Sequence, residues 1–195
     1  MKWLLCLALG YLLGSVPTAY VVARYLKGWD IRRYGSGNIG ATNAFRTMGT
    51  GPGLLVLVID MLKGTIPVLI GRAVGGEWLA VLAGLAAMAG HSWSIFLSWQ
   101  GGRGVATAAG VFLALAPAAL FWALLIWLAV LLTTRYVSLS SILAAIAAPL
   151  LVLVFHLSFP CFLFALLAAT LIVYRHRPNI KRLLAGKEPK LGERI

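Results

Sequence analysis

Charge is scarce in this sequence, and negative charge scarcest of all. Only 11% of the 195 residues are charged, and Asp and Glu together number five. A soluble domain with 61% hydrophobic residues would carry large apolar patches on its surface, so the composition excludes that class. Cysteine is nearly missing as well. Cys6 and Cys161 both sit inside apolar runs, with neither disulfide nor metal-ligand spacing, and read as buried thiols; no metal and no cofactor is expected. Lys2 followed by an apolar run imitates a signal peptide, but no small-residue cleavage site follows before Val22, so the run reads as a retained first span. Internal repeats of fixed period are not visible.

What is present is apolar sequence in continuous runs, at about Trp3–Ala23, Leu54–Gly75, Trp78–Leu97, Val105–Thr134, Ile142–Phe155 and Phe159–Val173. Several approach the ~20 residues of a transmembrane helix. Continuity rather than alternation argues for helices over a barrel. The expectation is a single all-α integral membrane domain spanning residues 1–195.

The net charge of +12 is distributed as in a membrane protein rather than a nucleic-acid binder, and no nucleic acid is expected as a partner. Arg24, Lys27, Arg32, Arg33 and Arg46 fall in the first loop, Arg103 and Arg135 in later loops, and Arg175, Arg177, Lys181, Arg182, Lys187, Lys190 and Arg194 in the tail. Placing these on the cytoplasmic side puts the N-terminus outside, with Gly75-Gly76 as an outer turn. Val105–Thr134 as one helix would be ~45 Å long, too long for one upright crossing, and would export the basic tail. A reversal at Pro117 brings the tail back inside. The reading is therefore seven transmembrane helices, N-terminus outside and C-terminus cytoplasmic, with short re-entrant or interfacial helices on the cytoplasmic side. The basic face would attract membrane lipid and anionic substrates.

Four polar clusters interrupt the apolar background. The first is Ser36-Gly-Asn-Ile-Gly-Ala-Thr-Asn-Ala-Phe-Arg46. Asn38 is the expected helix N-cap and Gly49 the expected stop, which would put Asn38, Thr42 and Arg46 on one face with Asn43 nearby. The preceding glycines, including Gly37 and Gly40, leave backbone N–H groups to cradle an anion. The second is Gln100-Gly-Gly-Arg-Gly-Val-Ala-Thr107, in which Gly101, Gly102 and Gly104 frame Arg103 and lead into a helix carrying Thr107; the blander reading is an ordinary turn with a positive-inside arginine. The third is Ser138, Ser140 and Ser141 after Arg135, where Ser140 or Ser141 suits an N-cap. The fourth is the tail opening, Arg175-His-Arg-Pro-Asn-Ile-Lys-Arg182, with Pro178 in the first turn of a surface helix and His176 and Asn179 at the membrane exit. Inside a span, Asp60 and Lys63 lie at i, i+3, so a structural ion pair and a substrate role stand side by side. His91 reads as an interhelical hydrogen bond, and Gly10, Gly14 and Ala80–Gly90 as close helix packing.

All four clusters share the cytoplasmic face under this topology, and together they describe a site for substrates with multiple negative charges. An anion or metabolite transporter is the alternative. It should show inverted repeats or midplane charge in both halves.

Ser36-Gly-Asn-Ile-Gly-Ala-Thr-Asn-x-x-Arg46, Asp60-x-x-Lys-Gly-x-x-Pro67, Gly101-Gly-Arg-Gly-Val-Ala-Thr107 and Arg175-His-x-x-Asn-Ile-x-Arg-Leu183 resemble the bacterial acyl-phosphate:glycerol-3-phosphate acyltransferases, the PlsY family. The resemblance runs from the first span to Gly186 and Glu188. Arg103 stands where Lys is equally expected. It implies a seven-span enzyme of the bacterial inner membrane, with its active site facing the cytoplasm. That enzyme would transfer a fatty acyl group from acyl phosphate to the 1-hydroxyl of sn-glycerol 3-phosphate, the first acylation of phospholipid synthesis. The products would be lysophosphatidic acid and phosphate. The resemblance further implies catalytic roles for Ser36, Arg46, His176 and Asn179. Substrate binding is expected of Gly37, Asn38, Gly40, Thr42, Asn43, Lys63, Gly101, Gly102, Arg103, Gly104, Thr107 and Ser141, of which the resemblance implies Asn38 and the 101–107 turn; it also implies a structural role for Glu188. A soluble enzyme making the acyl phosphate is an implied partner. No His is followed five residues later by Asp, so a His–Asp acyltransferase dyad is absent; the base is either His176 or the donor phosphate.

Overall fold

The computed structural model describes residues 1–193; Arg194, counted above with the tail cations, lies outside the described residues. These residues fold into nine α-helices and no extended strand. The helices are α1 (Lys2–Ser15), α2 (Thr18–Lys27), α3 (Ala41–Met48), α4 (Thr50–Ser92), α5 (Val105–Leu115), α6 (Pro117–Thr134), α7 (Val137–Val154), α8 (Phe159–Arg175) and α9 (Arg177–Leu184).

The first apolar run is broken where Pro17 removes a backbone donor, separating α1 from α2. The Val16 carbonyl next to the break accepts a hydrogen bond from Lys63 Nζ. At 43 residues α4 would measure ~65 Å if straight, about twice the hydrocarbon thickness. It is not straight. Gly75 and Gly76 leave helical geometry, Gly76 with φ of 75°, and the chain folds back so that Val68 meets Gly84 and Gly71 meets Ala80. The second arm packs on α1, where Gly14 presses so closely on the Ala87 backbone that a side chain has no room. Ala116 is likewise non-helical and Pro117 opens α6, so the long apolar run does divide there.

By length and hydropathy, Lys2–Lys27, Thr50–Ser92, Pro117–Thr134 and Val137–Val154 suffice to cross a membrane. Phe159–Arg175 with Arg177–Leu184, bent by 57°, adds a fifth, while Val105–Leu115 is shorter. The protein is thus an all-helical membrane protein with four or five such spans. Its main apolar core gathers Val68, Val81, Met88, Val111, Val152 and Phe164 between α4, α5, α7 and α8. A second cluster, Ala19, Ala23, Ile31, Ile39, Ala44 and Val56, seats the first polar loop on α2 and α4.

Two expected caps are displaced. Gly40, not Asn38, is the N-cap of α3, because the backbone is still extended at Gly40 (φ −151°, ψ 169°) and the helix starts only at Ala41. Gly49 ends the helix as expected. Neither Ser140 nor Ser141 caps α7, which begins earlier, at Val137. Both hydroxyls lie inside the helix and donate back to the carbonyls of Tyr136 and Val137.

Candidate active site

The first polar loop is organised from within by Asn43. This buried amide accepts the Ser36 N–H at 2.9 Å and donates to the Tyr34 carbonyl at 3.0 Å, closing the loop over the start of α3. Arg32 pairs with Asp30 at 2.6 Å and donates to Gln100 at 3.0 Å, tying this loop to the glycine turn. Ser36, Asn38, Gly40, Thr42 and Arg46 are left lining a cavity.

The Gly101–Gly102 turn is held from behind. Arg175, at the end of α8, donates to the Gly101 carbonyl at 2.7 Å and the Gly102 carbonyl at 3.0 Å, while Gly102 N–H bonds to the His91 carbonyl at 2.9 Å. A Cβ at Gly102 would collide with the His91 ring. With the turn's carbonyls engaged, Arg103 and the opening residues of α5, Gly104 to Ala106, face the same cavity. The first amides of a helix are free donors at its positive end, so this wall is built for an anion.

The third wall is the bend between α8 and α9. His176 is 2% exposed, and its Nδ1 lies 2.7 Å from the Ile172 carbonyl. A carbonyl only accepts, so Nδ1 carries the proton and Nε2 keeps a lone pair. Burial, reinforced by Arg103, pushes the imidazole down to about 4, which leaves it neutral at physiological pH. Asn179 donates to Glu188 at 2.6 Å, and its buried Oδ1 has no partner among the described residues. Burial opposes the charge on Glu188, but hydrogen bonds from Ser138, Asn179 and Arg182 outweigh it and hold the carboxyl below its ordinary range. The Arg182 contact is an ion pair of 2.7 Å.

Burial also lowers the Arg46 guanidinium and pushes Arg103 down to about 10, with the neighbouring Arg182 and other cations adding to the effect. Both remain charged. Three arginines against Glu188 and Asp60 leave the polar end of the cavity net positive. The cavity, about 430 Å³, then continues between α5, α6 and α7 over Ala108, Phe112, Leu120, Leu124, Trp127 and Ala145. A cationic head joined to an apolar tail matches an amphiphile carrying an anionic group.

Ten of the residues expected from sequence line this one cavity: Ser36, Asn38, Gly40, Thr42, Arg46, Arg103, Gly104, Ser141, His176 and Asn179. The others stand behind it. Gly37 and Asn43 shape the first loop, and Gly101 and Gly102 line a small adjoining pocket. Thr107 is fully buried where α5 meets α4 at Gly64. Lys63 pairs with Asp60 at 2.7 Å and, of the two, only Asp60 reaches the cavity. Ser138, from the third cluster, and Arg182, from the fourth, also line the cavity, although no individual role was expected of either. The clamp of Arg175 on the turn was not foreseen; its one signal was its place beside His176.

The family model for glycerol-3-phosphate acyltransferase matches residues 4–186. A glycerol-3-phosphate acyltransferase 2 of Moorella thermoacetica is 66% identical, over 98% of this chain and 99% of its own. A glycerol-3-phosphate acyltransferase of Desulforudis audaxviator is 52% identical, over 98% and 96%. Among solved structures, PlsY, an integral membrane glycerol 3-phosphate acyltransferase, superposes in its glycerol 3-phosphate form with a TM-score of 0.94 at 43% identity, covering 98% of this chain and 96% of that one. The lysophosphatidic acid form superposes with a TM-score of 0.91 at 40% identity and the same coverage.

Proposed function

We propose an acyl phosphate as the donor for this chain, which belongs to the glycerol-3-phosphate acyltransferase family and is an enzyme that acylates glycerol 3-phosphate. The transporter alternative is dropped on the same relationship. The observation that carries the donor assignment is the cavity's division into a head bearing Arg46 and Arg103 and an apolar groove. It offers places for two phosphates and a chain. An acyl phosphate is a mixed anhydride and needs no covalent relay through the protein.

In this reading Arg103 and the first amides of α5 hold the donor phosphate. Arg46, with Ser36, Asn38, Gly40 and Thr42, holds charged oxygens beside it. His176 Nε2 and Asn179 Oδ1 accept hydrogen bonds from the glycerol hydroxyls. The 1-hydroxyl oxygen attacks the acyl carbon, the carbon–oxygen bond to phosphate breaks, and the hydroxyl proton ends on the departing phosphate. His176 at about 4 is a poor resting place for that proton, whereas a phosphate holds one up to pH of about 6. The imidazole therefore orients the hydroxyl and the donor phosphate takes the proton. Fixing two reactants side by side can supply ~7–11 kcal/mol of the barrier. Lys63, Asn43, Gly37, Gly101, Gly102 and Thr107 act by holding these walls, and Ser141 lines the chain groove. The products are lysophosphatidic acid and phosphate.

Purified protein should release phosphate from palmitoyl phosphate only when glycerol 3-phosphate is present. Palmitoyl-CoA should not replace it. Robust turnover with the thioester, free of acyl phosphate, would refute the donor assignment. A soluble enzyme that supplies acyl phosphate from the cytoplasm is the partner this chemistry requires.

The proposed setting is the bacterial inner membrane, with seven spans, the N-terminus outside and the site facing the cytoplasm. The bend at Gly75–Gly76, the break at Pro117 and the basic tail support it. After Cys6 and Cys161 are changed to Ala, a cysteine placed at Ala118 should react with an impermeant thiol reagent on intact cells. Cysteines at the exposed Gln100 and Lys187 should react only once the membrane is opened. Labelling of Lys187→Cys from outside would overturn this topology.

A further inference from the structure

We infer that Phe112 is the floor of the apolar groove and sets the length of acyl chain the enzyme accepts. The inference rests on the reading that the donor's chain occupies this groove. α5 and α7 both run away from the cationic head, carrying Phe112 and Ala148 to the deep end of the lining. From Ser138 at the head to Ala148 is ten residues of α7, a depth of ~15 Å. Over that length α7 contributes small residues, Ala144, Ala145 and Ala148, so its wall leaves room for a chain. Phe112 ends that room. Its ring is 6% exposed and lies edge-on to Phe164, with centroids 5.2 Å apart and planes at 71°. Phe164 is fully buried in the main core, so it backs Phe112 and keeps it from swinging aside. Nearer the head, Trp127 Nε1 donates to Ser141 Oγ at 3.2 Å, clasping α6 to α7 and fixing the width of the groove there. With the sides clasped and the base backed, depth is the dimension left to discriminate chains.

The test is kcat/KM for a series of acyl phosphates, decanoyl through stearoyl, with Phe112→Ala, Phe112→Leu and Ala148→Phe beside the unaltered enzyme. Removing the ring should move the optimum of kcat/KM to longer chains. Phe112→Leu should give a smaller shift in the same direction. Ala148→Phe fills the deep end from the opposite wall and should move the optimum to shorter chains. In all three the KM for glycerol 3-phosphate should stay near that of the unaltered protein, a combination that loosened folding does not produce. Active variants that keep the original chain-length profile would overturn the inference. If the unaltered enzyme acylates glycerol 3-phosphate but uses no acyl phosphate of any length, the donor reading fails instead. If Phe112→Ala does not fold, Phe112→Leu and Ala148→Phe still decide the matter by opposite shifts.

Discussion

Arg103→Ala and Arg46→Ala are each expected to lower kcat/KM by roughly ten- to hundredfold or more while the protein still folds. A hydrogen bond between ionised groups contributes ~1.5–3 kcal/mol, and each ~1.4 kcal/mol is a factor of ten in rate. At a poorly hydrated site the effect should sit at the upper end. Folding should survive because the arginine ion pairs among the described residues are those of Arg32 and Arg182, so neither substitution strands a buried carboxylate. Removing a cation also relieves the mutual repulsion at the head of the cavity. The two variants should separate kinetically. Arg103 lies at the start of α5, and its loss should raise mainly the KM for acyl phosphate. Arg46 projects from α3, and its loss should weigh more on glycerol 3-phosphate. Arg103→Lys, which keeps a point charge but not the planar fork, should fall between. Steady-state kinetics with each substrate varied in turn checks this, together with a gel-filtration profile for folding. A variant that turns over at the unaltered rate with unchanged KM removes that residue from the anion site.

The helical class and the chain reversals were legible in the sequence because they depend on local signals. Gly75-Gly76 and Pro117 interrupt apolar runs that are otherwise too long for the bilayer, and the chain bends at both. The cationic head was legible for a similar reason. Arginines and glycines beside lipid have few structural uses, and ten residues singled out on that ground line one cavity. What stayed hidden were the partnerships across the fold. Ser138 reaches Glu188 fifty residues away, and Arg175 clamps a turn more than seventy residues earlier; no spacing rule connects such positions. Asn43 and Lys63 look like ligand residues in sequence because their chemistry suits one. That chemistry is used internally, on Ser36 and Tyr34 in one case and on Asp60 and Val16 in the other. The displaced caps at Asn38 and Ser140 have the same origin. A capping residue type is common, and the backbone geometry of its neighbours decides whether it caps.

His176→Ala is expected to cause the largest loss of kcat, ~100-fold or more, the cost of letting an attacking group slip by about an ångström. Its Nδ1 proton is committed to the Ile172 carbonyl, so a single nitrogen faces the cavity and its lone pair is the acceptor for the attacking hydroxyl. The same geometry makes a prediction that does not depend on activity. Desolvation disfavours the charged ring and holds it down to about 4, below the ordinary histidine range near 6.5. Between those values the unfolded chain binds the proton and the folded one does not. This residue's contribution to stability is therefore complete above pH of about 6.5 and is lost as the pH falls towards 4. Selectively 15N-labelled histidine in detergent should show three residues, with the His91 and His156 signals assigned by substitution. The His176 ring should be neutral at pH 7, protonated on Nδ1, and should begin to titrate only well below 6. A bound glycerol 3-phosphate dianion beside the ring should raise that midpoint, since a nearby negative charge favours the protonated form. His176→Gln retains a hydrogen-bond acceptor and, on the view that the imidazole orients rather than removes the proton, should keep more activity than His176→Ala. A proton on Nε2 at neutral pH would leave no lone pair for the hydroxyl. The acceptor role of His176 would then be wrong.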